Sequence, residues 1–352
     1  MRPSDLKYLF AFIIPALVYW GVEAGGTASY AALIFAFGIV PVLEQLLSKS
    51  TSNLDDEERE AKSHSVFFDF LLFLNLPIVF GLLFIYGSKI MAGSYGGSEL
   101  LGNTLSMGLL LASSGINVAH ELGHKDGSGF KLAAVVLLIP SLYTHFYIEH
   151  NRGHHKNVAT PEDPATAGKG EILYVFWIKS LYGSYKHAWQ LEFSRLRSET
   201  GIAKFFKNQM FAFSLLQIIY VFLLIQFFGV TAAAYMILTG VISFLFLESI
   251  NYIEHYGLSR RLLDSGRYER VQPWHSWNSN HYLGRIILYE LTRHSDHHFL
   301  ANKKYQLLDH HDSSPQLPYG YPSSMLLSMV PPLWFKIMNG KVERIEAERQ
   351  AA

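Results

Sequence analysis

The sequence predicts an all-α membrane protein: a six-helix transmembrane bundle carrying a cytoplasmic, histidine-rich helical cap. Three observations carry that expectation. Half of the 352 residues are hydrophobic and 16% are charged, against roughly 25% charged in ordinary soluble domains. Six apolar stretches, near 8–24, 28–47, 66–87, 99–119, 210–229 and 231–250, reach the length of a membrane span, which takes about 20 apolar residues per helix. Nine histidines stand in three clusters and one single position at or beyond the ends of those stretches.

Residues 1–119 read as four transmembrane helices. The first two are joined by the tight turn Val22–Thr27, and the second and third by the polar loop 48–65. Residues 120–209 read as a cytoplasmic or interfacial histidine-rich segment, 210–250 as two further spans turning at 227–230, and 251–352 as a cytoplasmic cap and tail. Arg2 and Lys7 precede the first span without an Ala-x-Ala cleavage site, so a membrane anchor is expected there, not a cleaved signal. The turns near residues 25, 93 and 229 hold Lys89 alone, whereas 120–209 carries many cations, among them Arg152, Lys156 and Lys179. The positive-inside rule then puts both termini in the cytoplasm. Formal net charge is zero, which gives no reason to expect a nucleic-acid partner.

One apolar stretch, 130–148, is long enough to span. If it did, His120 and His124 would lie about 30 Å from His150 and His154, across the membrane. A re-entrant segment bent near Pro140 is therefore expected, because no set of ligands bridges that distance.

The chemistry lies in the histidines. His120 and His124, His150 and His154, and His294 and His298 are each four residues apart, one helical turn, so each pair is expected on one helix face. His155, His297 and the single His255 complete the set of nine. One ion takes four to six ligands, so nine imidazoles point to two metals. Glu121, Glu149, Asp163, Glu254 and Asp296 are candidates to accept the second ring N–H of a ligating histidine. Two further positions are candidate catalytic residues. Glu248 is a carboxylate at the end of an apolar span, where an ionisable group is costly. Asn251, one turn before His255, is placed to hold a water on the metal. His64 and His187 read as surface histidines, His310 and His311 as solvated, and His145, His275 and His281 stay undecided. The chain has no cysteine, which excludes thiolate-held haem and cysteine-held iron–sulfur clusters, so electrons for redox chemistry must come from another protein.

Two other readings compete. His120-Glu-Leu-Gly-His124 taken alone matches a zinc metalloprotease helix with Glu121 as base, but it leaves seven histidines without a role. A histidine-lined metal transporter would want polar residues spread through the spans, and these are nearly devoid of them.

At these residues the chain resembles the integral-membrane alkane 1-monooxygenase family. The resemblance rests on HELGHK at 120–125, EHNRGHHKNVATPEDPA at 149–165, NYIEHYGL at 251–258, HSWNSNH at 275–281 and RHSDHHF at 293–299. It is close across 120–310 and looser in the first hundred residues. It implies a desaturase/hydroxylase-like six-helix fold in the bacterial inner membrane and two non-haem iron ions (Fe2+/Fe3+). It also implies O2 as oxidant and terminal hydroxylation of medium- to long-chain n-alkanes to 1-alkanols. The electrons would come from rubredoxin, with rubredoxin reductase and NADH upstream. The family's ligand positions fall on His120, His124, His150, His154, His155, His255, His294, His297 and His298, with none missing. Xylene monooxygenases and fatty-acyl desaturases share the three-cluster layout, so a xylene-type or fatty-acyl hydroxylase or desaturase is the alternative activity. Arg152, Lys156 and Arg293 are candidates to dock an acidic electron carrier.

Overall fold

The structure is a computed structural model that describes residues 2–351. The described residues form helices joined by turns and loops, with β contacts confined to isolated bridges such as Lys49 with His281. Two compact units divide the chain. One comprises Met1–Ile39, His64–Asn151 and Tyr185–Leu247, and the other Val40–Ser63, Arg152–Ser184 and Glu248–Ala352.

Four of the described helices are long and apolar enough to cross a membrane: Pro3–Ala24, Gly26–Leu46, Phe67–Met91 and the 47-residue Gln209–His255. The last is two helices meeting at Gly229, whose φ of 78° and ψ of 167° break the helical path. Glycine takes that backbone without the clash a Cβ would bring. The break falls in the turn the sequence marks at 227–230. Around it Leu215, Ile218, Phe222 and Phe227 are more than half exposed, an apolar surface that suits lipid better than water.

The fourth expected span, 99–119, is a helical run of a different kind. It starts at Gly97, is interrupted by a π turn at Leu111–Ile116 and continues as Asn117–His124. It buries Asn103, Thr104, Ser106, Ser113, Ser114 and Asn117, which lowers its hydropathy below that of the other spans. Gly108 permits a close approach in the same unit: a Cβ there would collide with Ile242. Tyr86 and Thr104 share a buried hydroxyl hydrogen bond of 2.7 Å.

The stretch 130–148 is broken. A helix covers Ser128–Leu138, the chain then turns through Pro140, and helix resumes at Phe146–Glu149. Eleven residues at about 1.5 Å each reach about 16 Å, half a hydrocarbon core. Backbone that leaves the helix in apolar surroundings needs other hydrogen-bond partners, and here it has them. Ser141, Tyr143 and Thr144 are buried. Ser243 donates to Ser141 at 3.0 Å and Gln217 Nε2 to Thr144 Oγ1 at 2.8 Å. A Cβ on Gly240 would stand 2.7 Å from the Pro140 carbonyl oxygen, so that helix presses directly on the turn.

In the second unit Tyr252, Tyr256 and Trp334 pack ring against ring at 5.3–5.8 Å. Trp277 Nε1–H donates to the Tyr256 carbonyl at 2.8 Å. Arg293 is buried and donates to the Ser52 and Leu308 carbonyls. It therefore ties loops together and is not a surface cation for docking a partner, as its charge alone suggested; Lys156 stays exposed.

Candidate metal centre

In the second unit four buried imidazoles come together. His154, His255, His294 and His298 each offer a ring nitrogen, and these nitrogens all lie within 4.8 Å of one another. Ring centroids are 4.9 Å apart for His154 and His255, 5.0 Å for His255 and His294, and 4.4 Å for His294 and His298. His255 ends the long apolar helix and the last two stand on the short helix His294–Phe299. His155 lies beside them, its ring 4.7 Å from His297 and 4.5 Å from His298.

In the first unit His120, His124 and His150 converge. Centroids are 5.0 Å apart for His120 and His124, 4.4 Å for His120 and His150, and 5.1 Å for His124 and His150. Phe146 stacks on His150 at 4.7 Å and 25°.

His150 joins His120 and His124, whereas His154 joins His255 and His298. Residues His150–His154 form a π turn.

These donors fit a metal. Two nitrogens each about 2.1 Å from one ion stand about 3.0 Å apart at right angles and about 3.4 Å apart in a tetrahedron. His294 Nε2 and His255 Nε2 are 3.2 Å apart, and His150 Nε2 and His124 Nε2 are 3.1 Å apart. Ligating imidazoles must be neutral, and burial, aided by the neighbouring imidazoles His294, His155, His154 and His255, holds His298 well below the usual histidine range.

The expected carboxylate support takes three forms. Asp163 meets the expectation: its Oδ2 lies 2.9 Å from His154 Nδ1, which leaves Nε2 as the donor to a metal. Burial pushes Asp163 up, but the charge and hydrogen bond of His154 and the Thr166 hydroxyl outweigh it and hold it below the usual carboxylate range. Glu254 is placed differently, with Oε2 3.2 Å from His294 Nε2, the nitrogen that faces His255. The remaining three also meet other groups. Glu149 Oε1 pairs with His187 Nδ1 at 3.1 Å, Glu121 with Lys125 at 3.6 Å, and Asp296 with Lys303 and His311, both at 2.7 Å.

Several single histidines differ from their sequence reading. His187 is half-buried on Glu149, and His311 braces Asp296 where solvent was expected. His310 Nδ1 lies 3.1 Å from Asn280 Nδ2. His64 is exposed, as expected. Of the undecided three, His145 is buried against the rings of Tyr143 and Tyr185, at 4.3 and 5.3 Å. Burial lowers His275 and His281 to about 4. Within the 274–280 run, Ser276 Oγ stands 3.5 Å from His255 Nδ1. Glu248 and Asn251 are buried side by side, with Asn251 Nδ2 3.4 Å from Glu248 Oε2. Sequence reasoning misses Tyr321 and Phe146. Tyr321 donates to Glu254 Oε1 at 2.6 Å from 67 residues away, and no local motif marks either residue.

Comparison with known proteins decides the family. The profile of the family described as "Fatty acid desaturase" matches residues 99–325. Alkane 1-monooxygenase 1 of Pseudomonas aeruginosa is 38% identical over 333 residues, covering 92% of this chain and 86% of that protein. Alkane 1-monooxygenase 2 of the same organism is 36% identical over 337 residues, covering 94% and 88%. The chain belongs to the alkane 1-monooxygenase family. The xylene/toluene monooxygenase hydroxylase component XylM of Pseudomonas putida is a more distant relative, 28% identical over 347 residues, covering 95% of this chain and 88% of XylM. As an alkane 1-monooxygenase relative the chain is an oxidoreductase of the membrane desaturase type, and the metalloprotease and transporter readings fall away.

Proposed function

We propose that the protein hydroxylates the terminal methyl of medium- to long-chain n-alkanes to 1-alkanols, using O2 and electrons from rubredoxin. The observation that carries this is the buried group His154, His255, His294 and His298, with nitrogens at ligand spacing at the end of a long apolar helix. In this reading these four hold one iron. His120, His124 and His150 bind the second, and His155 and His297, whose rings are 4.7 Å apart, are the remaining ligands of the nine. An iron pair, when bound, supplies the reduction of O2 and the oxidising power to break a C–H bond.

The chain's own residues do the rest. An alkane offers no polar handle, so the end carbon is selected by the shape of an apolar path from the bilayer. Glu248, Asn251 and His255 fall at i, i+3 and i+7 of one helix and so share a face. Asn251 lies about 6 Å and Glu248 about 10 Å from His255 along the axis. We assign to Glu248 and Asn251 the holding of a proton and a water between the apolar path and the metal ligands, through Asn251 Nδ2 and Glu248 Oε2. Asp163 keeps the His154 tautomer fixed through Nδ1. The topology proposed is six spans in the bacterial inner membrane with both termini cytoplasmic and 130–148 re-entrant. Its support is the Gly229 break, the helical run 97–124 and the broken 128–149 stretch.

The test is incubation of purified protein with a mixture of octane, hexadecane, xylene and a fatty acid, plus rubredoxin, its reductase and NADH. The expected product is a 1-alkanol. An oxidised xylene alone would move the assignment to the xylene/toluene activity in XylM's name. Zinc without iron in active protein would end the di-iron reading.

A further inference from the structure

Helix Leu173–Arg195 presents two unlike faces over the part that belongs to the second unit, up to Ser184. Leu173, Phe176, Ser180 and Ser184 are buried. Tyr174, Val175, Ile178 and Tyr182 are exposed, Ile178 at 73% and Tyr182 at 70%. At about 100° per residue the exposed four fall in one arc of about 100°, opposite the buried four. Lys179 lies just past the edge of that arc and donates to Glu171 and to the Thr166 carbonyl, at 2.7 and 3.0 Å. A second apolar stripe adjoins the first. Leu326, Val330 and Leu333 are exposed where helix Tyr321–Ser328 gives way to helix Pro331–Ala351. Tyr174 donates its hydroxyl to the Met329 carbonyl in that junction at 2.8 Å. Apolar side chains gathered in this way mark a contact with protein or with lipid.

Depth decides between the two. Trp177, on the same helix, donates Nε1–H to Ser249 Oγ at 3.2 Å. Tyr252 donates its hydroxyl to the Glu171 carbonyl at 2.6 Å, and its ring lies 5.4 Å from that of Phe176. Ser249 stands at the end of the last apolar stretch, 231–250, within the helix Gln209–His255. Groups exposed beside the end of a membrane span meet the boundary between headgroups and acyl chains. Tyrosine concentrates at that level because its ring is apolar and its hydroxyl is polar. A soluble partner would have to displace lipid to reach such a surface.

We propose that the 174–182 face and the 326–333 junction form a membrane-binding surface of the second unit. Its occupant is the headgroup–acyl boundary of the leaflet at the His255 end of the span. This rests on the reading of Gln209–His255 as membrane-spanning. The unit that carries the His154, His255, His294 and His298 group is then held to the bilayer by its own surface as well as by the span. An interfacial face of this kind keeps it at the depth from which an apolar substrate arrives.

The chain has no cysteine, so a single introduced thiol carries the only label. A small fluorophore is attached to the full-length protein at Ile178→Cys, Tyr182→Cys or Val330→Cys, in nanodiscs of phosphatidylethanolamine and phosphatidylglycerol. Quenching is compared between lipids brominated near the headgroup end of the acyl chain, lipids brominated near the chain end, and iodide in the water. Ile218→Cys, in the middle of the apolar stretch 210–229, and Ser265→Cys, on an exposed turn, are the references. At the three sites shallow bromine is expected to quench at least about twofold more than deep bromine or iodide, since such faces sit about 5–10 Å into the boundary. Iodide quenching at 178 and 182 equal to that at Ser265→Cys would overturn the proposal. Weak quenching by all three agents would overturn it too, because protein, a second copy or another partner, would then cover the surface. An Ile218→Cys label beyond the reach of deep bromine refutes the spanning reading itself, a different failure from either of these.

Discussion

Asp163→Asn tests the site most directly, because it changes one charge and almost no volume. The Asp163 and His154 side chains are buried, 2.9 Å apart. Asp163 Oδ1 accepts the Ala165 N–H at 3.1 Å and Oδ2 also accepts the Thr166 hydroxyl at 2.6 Å. An asparagine keeps an oxygen for Ala165, so the loop 160–166 should keep its shape. What it loses is the anion on His154 Nδ1, which fixes the tautomer and raises the basicity of Nε2. Removing such a partner lowers metal affinity by about 10- to 100-fold, or about 1.4–2.7 kcal/mol. The assay is competition for ferrous iron against a chelator of known affinity, with helicity and size-exclusion profile as controls for folding. One of the two irons should weaken within that range. An affinity unchanged within twofold, in a folded variant, would refute the claim that Asp163 orients a metal ligand.

The remaining predictions are independent of one another. Gly108→Ala drives a Cβ into Ile242 and should cost about 1–3 kcal/mol as overpacking; Gly108→Ala with Ile242→Ala should recover part of the loss in a thermal melt. Asp296→Asn removes the buried charge that Lys303, His311 and the Asp309 N–H all address, and should destabilise by about 3 kcal/mol; a melting temperature unchanged from wild type would refute it. Burial, with Arg349 adding to it and Glu269 opposing, lowers His275 to about 4 from 6.5. The unfolded chain therefore binds the extra proton first, and stability falls as pH drops from about 6.5 to about 4. Melts of iron-free His275→Gln should show a flatter pH dependence over that window, and an identical slope would remove His275 as its source.

The three histidine clusters are legible in the sequence, because residue type and one-turn spacing form a chemical pattern independent of tertiary structure. Their grouping is not written in the spacing: four residues separate His150 from His154 just as they separate His294 from His298, and the rings that each meets come from distant parts of the chain. Carboxylate roles were equally hidden. Glu254 is adjacent to His255 in sequence, but the nitrogen it addresses depends on Tyr321, 67 residues away. Arg293 failed for the reverse reason. A cation beside a histidine cluster looks like surface charge until the carbonyls of Ser52 and Leu308 are seen to close over it.

At 130–148 hydropathy alone suggests a continuous helix, and the structure breaks it. A straight helix over those 19 residues would separate its ends by about 28 Å. The observed 3.1 Å between His124 Nε2 and His150 Nε2, just outside the two ends, excludes it. The apolar composition has another source: Ala133, Ala134, Leu137 and Leu138 are buried in protein. The chain must leave His124 and come back to His150 over residues that are largely apolar. Such a segment has to be apolar where it meets lipid or packed helix and must still break its backbone hydrogen bonds to reverse. Pro140 ends the first helix, Ser243 and Gln217 supply the hydrogen bonds the turn needs, and Gly240 makes room for its carbonyl. Replacing Gly240 by leucine should therefore damage iron binding at His120, His124 and His150 from a distance. Full occupancy of both irons in a folded Gly240→Leu protein would show that the turn does not position them.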